Sequence, residues 1–133
     1  MRCRGFDVQA LPKPQNDYLC YGRYTRSMFK GADDAVILAD EMGDTRKKQI
    51  EYIKQKMKEY GDGARAEIRV VWSGKNSGHV FVAEQYEVKT LFIDPQSGES
   101  DVAYYFDYIA PSKTWFLRTD NLTINKTILE CVK

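Results

Sequence analysis

The chain has 133 residues, room for one domain and hardly for two, with 43% hydrophobic and 29% charged residues, enough to build a soluble core. A net charge of +1 gives no global pull toward nucleic acid or an anionic membrane, and no apolar run reaches the roughly 18 residues that a membrane helix needs. Three widely spaced cysteines, Cys3, Cys20 and Cys131, argue against both a disulfide framework and a zinc cluster, so no metal or cofactor is expected and a reducing, cytoplasmic setting is the simpler one.

Met1 to Asp7 carries charge but no apolar stretch, which is not the pattern of a secretory leader. The sequons at Asn121 and Asn125 are then read as chance matches. Gly5 to Leu11 alternates as a short strand, with Phe6, Val8 and Ala10 against Asp7 and Gln9, and Pro12 and Pro14 end it. Tyr18 to Phe29 is aromatic and fits either a short helix or a packed loop. Asp33 to Met42 reads as irregular or as a short helical piece. The clearest helix runs from about Asp44, a plausible N-cap, to Tyr60, with Ile50, Ile53 and Met57 on one narrow apolar face and Gly61 as its stop.

Ala66 to Trp72 is the next expected strand, with Ile68, Val70 and Trp72 on one face. A polar turn over Ser73 to Ser77 leads to strands over Gly78 to Glu84 and Val88 to Asp94. Pro95-Gln96-Ser97-Gly98 is a turn by its chemistry. Asp101 to Tyr108 is aromatic and fits strand or helix. Trp115 to Arg118 reads as a strand, and Asn121 to Val132 holds room for a short helix with Ile124, Ile128 and Val132 on one side. A helix followed by consecutive strands predicts an α+β fold, the helix packed on an antiparallel sheet.

His79 is the one histidine in the chain. A hairpin centred between Tyr86 and Glu87 sets it directly opposite Asp94, with Cβ atoms about 5 Å apart on a shared face. A carboxylate on one ring nitrogen fixes the tautomer and turns the other nitrogen toward a nucleophile. The same pair also serves proteins as a purely structural hydrogen bond. Gln85-Tyr86-Glu87-Val88 lacks the Asn-Gly type of hairpin signal; a longer loop of even length keeps the two side chains on one face, whereas an odd bulge separates them.

Gly78-His79-Val80-Phe81-Val82, followed by Leu91-Phe92-Ile93-Asp94-Pro95-Gln96-Ser97-Gly98, resembles the signature of the papain-fold toxin domains. That group includes protein-glutamine deamidases and occurs in bacterial polymorphic toxins and in minor capsid proteins of phages. Arg4-Gly5-Phe6-Asp7-Val8-Gln9-Ala10 resembles the phage-associated branch, which carries a similar Arg-Gly-Tyr-Asp-Val segment near its start, and Arg118 to Leu122 is similar as well. The resemblance implies one papain-like domain over residues 1–133, with His79 as general base, Asp94 as its orienting carboxylate and Gln96 supporting the turn or touching substrate. It implies a protein substrate or target protein, bacterial or phage-encoded, acting in the cytoplasm or delivered into a target cell.

In the phage-associated branch the nucleophilic cysteine lies in an Asn-Cys-Gln type of motif at a helix start, just before the Arg-Gly-Tyr-Asp-Val segment. Here only four residues precede Gly5, so by this resemblance the chain is N-terminally truncated relative to that branch, its cysteine-bearing segment either omitted or lost, and the chain is expected to be inactive if the nucleophile is missing. Cys20, after the possible N-cap Asp17, is the best internal candidate, although a buried thiol packed as a small apolar group explains it too. Cys3 has basic neighbours but no helix before it, and Cys131 reads as core or surface.

The remaining signals are weaker. Arg46, Lys47, Lys48, Lys54, Lys56 and Lys58 make the main helix basic, which suits a solvated face or phosphate contacts. Gly74-Lys75 lacks the spacing of a phosphate loop, and Ser73 and Ser77 lack a nucleophile elbow. The tyrosines over Tyr18 to Tyr24 and Tyr104 to Tyr108 suit a contact surface or packed rings with polar tips outward. The activity that the resemblance implies is a thiol amidohydrolase, a glutamine deamidase or a papain-like protease. The rivals are a catalytically dead papain-like binder or inhibitor in phage–host conflict and a structural module of a phage particle.

Overall fold

The computed structural model describes residue 29 and residues 31–123. The strand expected over Gly5 to Leu11, most of the Tyr18 to Phe29 segment and the helix expected beyond residue 123 lie outside the described residues, as do Cys3, Cys20 and Cys131.

The segment expected to be irregular or helical resolves into α1 (Ala32–Ala35), a two-residue strand β1 (Ile37–Leu38) and α2 (Ala39–Met42). The main helix, α3 (Arg46–Tyr60), begins two residues later than expected. Its N-cap is Thr45, whose side chain accepts the Lys48 N–H at 3.1 Å, while Asp44 makes an exposed ion pair with Lys48 Nζ instead. A hydroxyl and a carboxylate are both good caps, and the backbone put Thr45 at the boundary. Gly61 ends the helix, with its N–H on the Met57 carbonyl.

Among the described residues, five antiparallel strands follow the order β1-β5-β2-β3-β4, with β2 Arg65–Val71, β3 Gly78–Tyr86, β4 Lys89–Ile93 and β5 Trp115–Arg118. The α+β expectation holds. Helix α3 lays Ile53 and Met57, both fully buried, on one sheet face against Ile68, Val70, Phe81, Ala83, Phe92 and Phe116. Burying a side chain of that size is worth about 1.5–3 kcal/mol, so this stripe is what attaches the helix to the sheet. The helix also buries Gln49, whose amide donates to the Gly43 and Pro111 carbonyls at 2.9 and 2.6 Å. A smaller cluster of Phe29, Ala32, Trp115 and Leu117 forms away from that core.

The register of the β3–β4 hairpin departs from expectation. Tyr86 pairs with Lys89 and Val82 with Ile93, so the loop is Glu87-Val88 and its centre lies one residue later. Extending this ladder would set Phe81, not His79, opposite Asp94. His79 is therefore diagonal to Asp94, two residues from facing it. An even displacement leaves every side chain on its original face, so both still point to the α3 side of the sheet. The loop manages without glycine through one distant and one local partner. Glu87 takes a left-handed φ of 53°, its N–H donates to Asp62 Oδ1 at 2.9 Å, and its carbonyl accepts from the buried Gln85 amide at 3.0 Å.

Candidate active site

β3 opens with Gly78 and His79 lying against Val71 and Val70 of β2. A Cβ on Gly78 would sit 2.7 Å from the Val70 carbonyl oxygen, so glycine is what lets the two backbones approach here. The pleat then sends the next side chain, His79, to the opposite face.

Asp94 stands where β4 gives way to the turn. Its Oδ1 accepts the N–H groups of Gln96 at 2.9 Å and Ser97 at 3.3 Å, and its carbonyl accepts the Gly98 N–H at 2.8 Å. An aspartate closing its own turn in this way is a common use of the residue, and Gly98 supplies the positive φ of 81° that the turn requires. Gln96 thus supports the site through its backbone; its side chain is exposed.

The third contributor is the aromatic segment after the turn, a 3₁₀ helix spanning Ala103–Tyr108. Val102 N–H donates to the Phe92 carbonyl at 2.9 Å, Ser73 N–H donates to the Tyr108 carbonyl at 2.7 Å, and Phe106 fills the core. Pinned at both ends, the segment brings the Tyr105 hydroxyl to Asp94 Oδ2 at 2.6 Å. His79 Nε2 meets the same oxygen at 2.8 Å.

Asp94 is 2% exposed. Burial pushes its carboxyl up, but the hydrogen bonds from Tyr105, His79, Gln96 and Ser97 together outweigh it and hold the group at about 2. The bond to Asp94, reinforced by burial and by the carboxylate's charge, pushes the Tyr105 phenol up to about 12, so it stays a donor. An ionised carboxylate only accepts, which requires His79 Nε2 to carry the hydrogen. In the neutral ring Nδ1 then holds the lone pair, and it has no hydrogen bond among the described residues.

Rings fix the imidazole plane. Trp72 stacks on His79 with centroids 6.1 Å apart and planes 20° from parallel, and Tyr105 meets it edge-on at 5.9 Å. The His79 side chain remains 20% exposed, so the ring is reachable. Neither Trp72 nor Tyr105 belongs to a motif. Trp72 read as one more inward residue of a strand and Tyr105 as one of several tyrosines, and their approach to His79 and Asp94 depends on the chain's path after the turn. Among the described residues, no group of three or more His, Cys, Asp or Glu is placed to hold a metal ion, and no helix is long and apolar enough to cross a membrane.

A family model described as papain fold toxin 1, glutamine deamidase, matches residues 7–99, an interval that contains Cys20, His79, Asp94 and Gln96 but stops short of Tyr105. No curated protein matches the chain, and no solved structure does.

Proposed function

The chain belongs to the papain fold toxin 1, glutamine deamidase family, and from that premise we propose that its site performs thiol-dependent hydrolysis of a glutamine side-chain amide in a target protein. The observation that carries this reading is the 2.8 Å contact between His79 Nε2 and the ionised Asp94, which leaves the Nδ1 lone pair open to a thiol. In this reading Nδ1 takes the proton of a cysteine thiol. The thiolate attacks the carboxamide carbon, the C–N bond breaks, and the imidazolium returns its proton so that ammonia leaves. His79 then deprotonates water, which cleaves the thioester and releases glutamate. Asp94 stabilises the transient imidazolium, and Tyr105 and the Gln96 and Ser97 N–H groups hold Asp94.

The thiol belongs outside the described residues. In this reading it is supplied by Cys20 or by another cysteine of the full protein. The setting we propose is the cytoplasm of a bacterium or of a target cell.

The test is ammonia release from glutamine-containing peptides, run on this chain and on the full product of its gene. His79→Ala should lower the rate by at least about 1,000-fold while leaving a folded protein, since it removes the base from a unit that works as a whole. Alkylation by iodoacetamide then names the thiol: one cysteine should react faster than the others in the active form and lose that advantage in His79→Ala. Full activity in His79→Ala rules the reading out.

A further inference from the structure

Behind Trp72 lies a groove of about 400 Å³, open to solvent. Trp72 and Tyr105, which hold the His79 ring, also form its wall, so the groove borders the site across these two rings. Tyr108, 62% exposed, forms part of its rim. Its charged lining is Arg46, Lys75 and Asp107, two cations to one anion. Arg46 uses Nε to bond the Ile109 carbonyl at 2.9 Å, which fixes the guanidinium while leaving its outer nitrogens as donors. Neither Arg46 nor Lys75 forms an ion pair among the described residues.

A solvent-facing tyrosine and tryptophan wall offers rigid apolar contact at little entropic cost, the composition of surfaces that grip polypeptide. Two uncommitted cations at its edge select the sign of what binds. We propose that this groove is a subsite for the substrate polypeptide beside the target glutamine, and that Arg46 and Lys75 there select an acidic side chain. This rests on the amidohydrolase reading of His79 and Asp94.

Three peptides of one length test it, each with a central glutamine flanked by glutamate, alanine or lysine. Binding is read by anisotropy of labelled peptide on the His79→Ala variant, which cannot turn over, and ammonia release is read on the active form. The acidic peptide should bind about fivefold more tightly than the alanine peptide, the range of an exposed ion pair, and the preference should shrink as salt is raised. Lys75→Glu, an exposed change outside the hydrogen-bonded site, should move the preference toward the lysine peptide. Equal binding of all three peptides, no binding of any, or an unchanged preference in Lys75→Glu overturns the subsite. The two readings fail separately. Ammonia released equally from all three peptides removes the subsite and leaves the chemistry, whereas an acidic preference in binding with no ammonia from any peptide removes the chemistry and leaves a peptide-binding groove.

Discussion

The Tyr105 hydroxyl donates to Asp94 Oδ2 at 2.6 Å, on the same oxygen that His79 Nε2 meets at 2.8 Å. Two donors on one oxygen hold the carboxylate in rotation as well as in charge. Tyr105→Phe deletes one of them with little change of shape. Stability should fall by about 2 kcal/mol, the scale of a hydrogen bond to a charged partner, and kcat/KM should fall about tenfold as the imidazole loses its alignment. Urea unfolding and ammonia release read the two effects; a variant with unchanged urea midpoint and unchanged rate contradicts the role.

Asp94 also predicts an acid limb of stability. Its carboxyl is held at about 2, against 3.8 for the ordinary group. The folded protein therefore binds this proton more weakly than the unfolded chain does. The contribution is complete above the ordinary value and drains away as pH falls from about 4 to about 2, amounting to about 2 kcal/mol. Urea midpoints between pH 5 and pH 2 should show this loss in the wild type, and Asp94→Asn should flatten it.

Gly78→Ala tests the close approach of β3 to β2. The new methyl would meet the Val70 carbonyl oxygen at 2.7 Å, and this contact is to backbone, which yields less easily than a flexible side chain. Destabilisation of about 1–3 kcal/mol is expected, with a larger loss of activity than of folded protein because His79 is the adjacent residue. Amide chemical shifts of Val70 and His79 should move together; shifts confined to residue 78 would show that the strand absorbs the methyl.

At Gln96 the backbone and side-chain contributions separate. Gln96→Ala keeps the N–H that Asp94 accepts and should change stability by less than about 0.5 kcal/mol. Gln96→Pro removes that N–H and should raise the acid-unfolding midpoint by loosening Asp94. If Gln96→Ala lowers kcat/KM while its unfolding curve matches the wild type, the side chain touches substrate.

Local patterning was enough to place Gly78, His79, Asp94 and the Pro95 to Gly98 turn, because side-chain direction along a strand repeats every two residues and turn chemistry is written in adjacent residues. That is also why the misjudged hairpin centre did no harm: a displacement of two leaves His79 and Asp94 on one face. The register itself was fixed in part from afar, by Asp62 on the Glu87 N–H across 25 residues of sequence, a bond that no residue of the hairpin announces, and in part by the buried Gln85 amide two residues before Glu87. The same holds for Thr45 in place of Asp44, a choice made by where the backbone enters α3 between two competent caps. Trp72 and Tyr105 reach His79 and Asp94 because a 3₁₀ helix is pinned against the end of β2, across about thirty residues of chain. Periodicity carries no information over that span. Only packing in three dimensions decides which aromatic ring reaches the imidazole and which hydroxyl reaches the carboxylate.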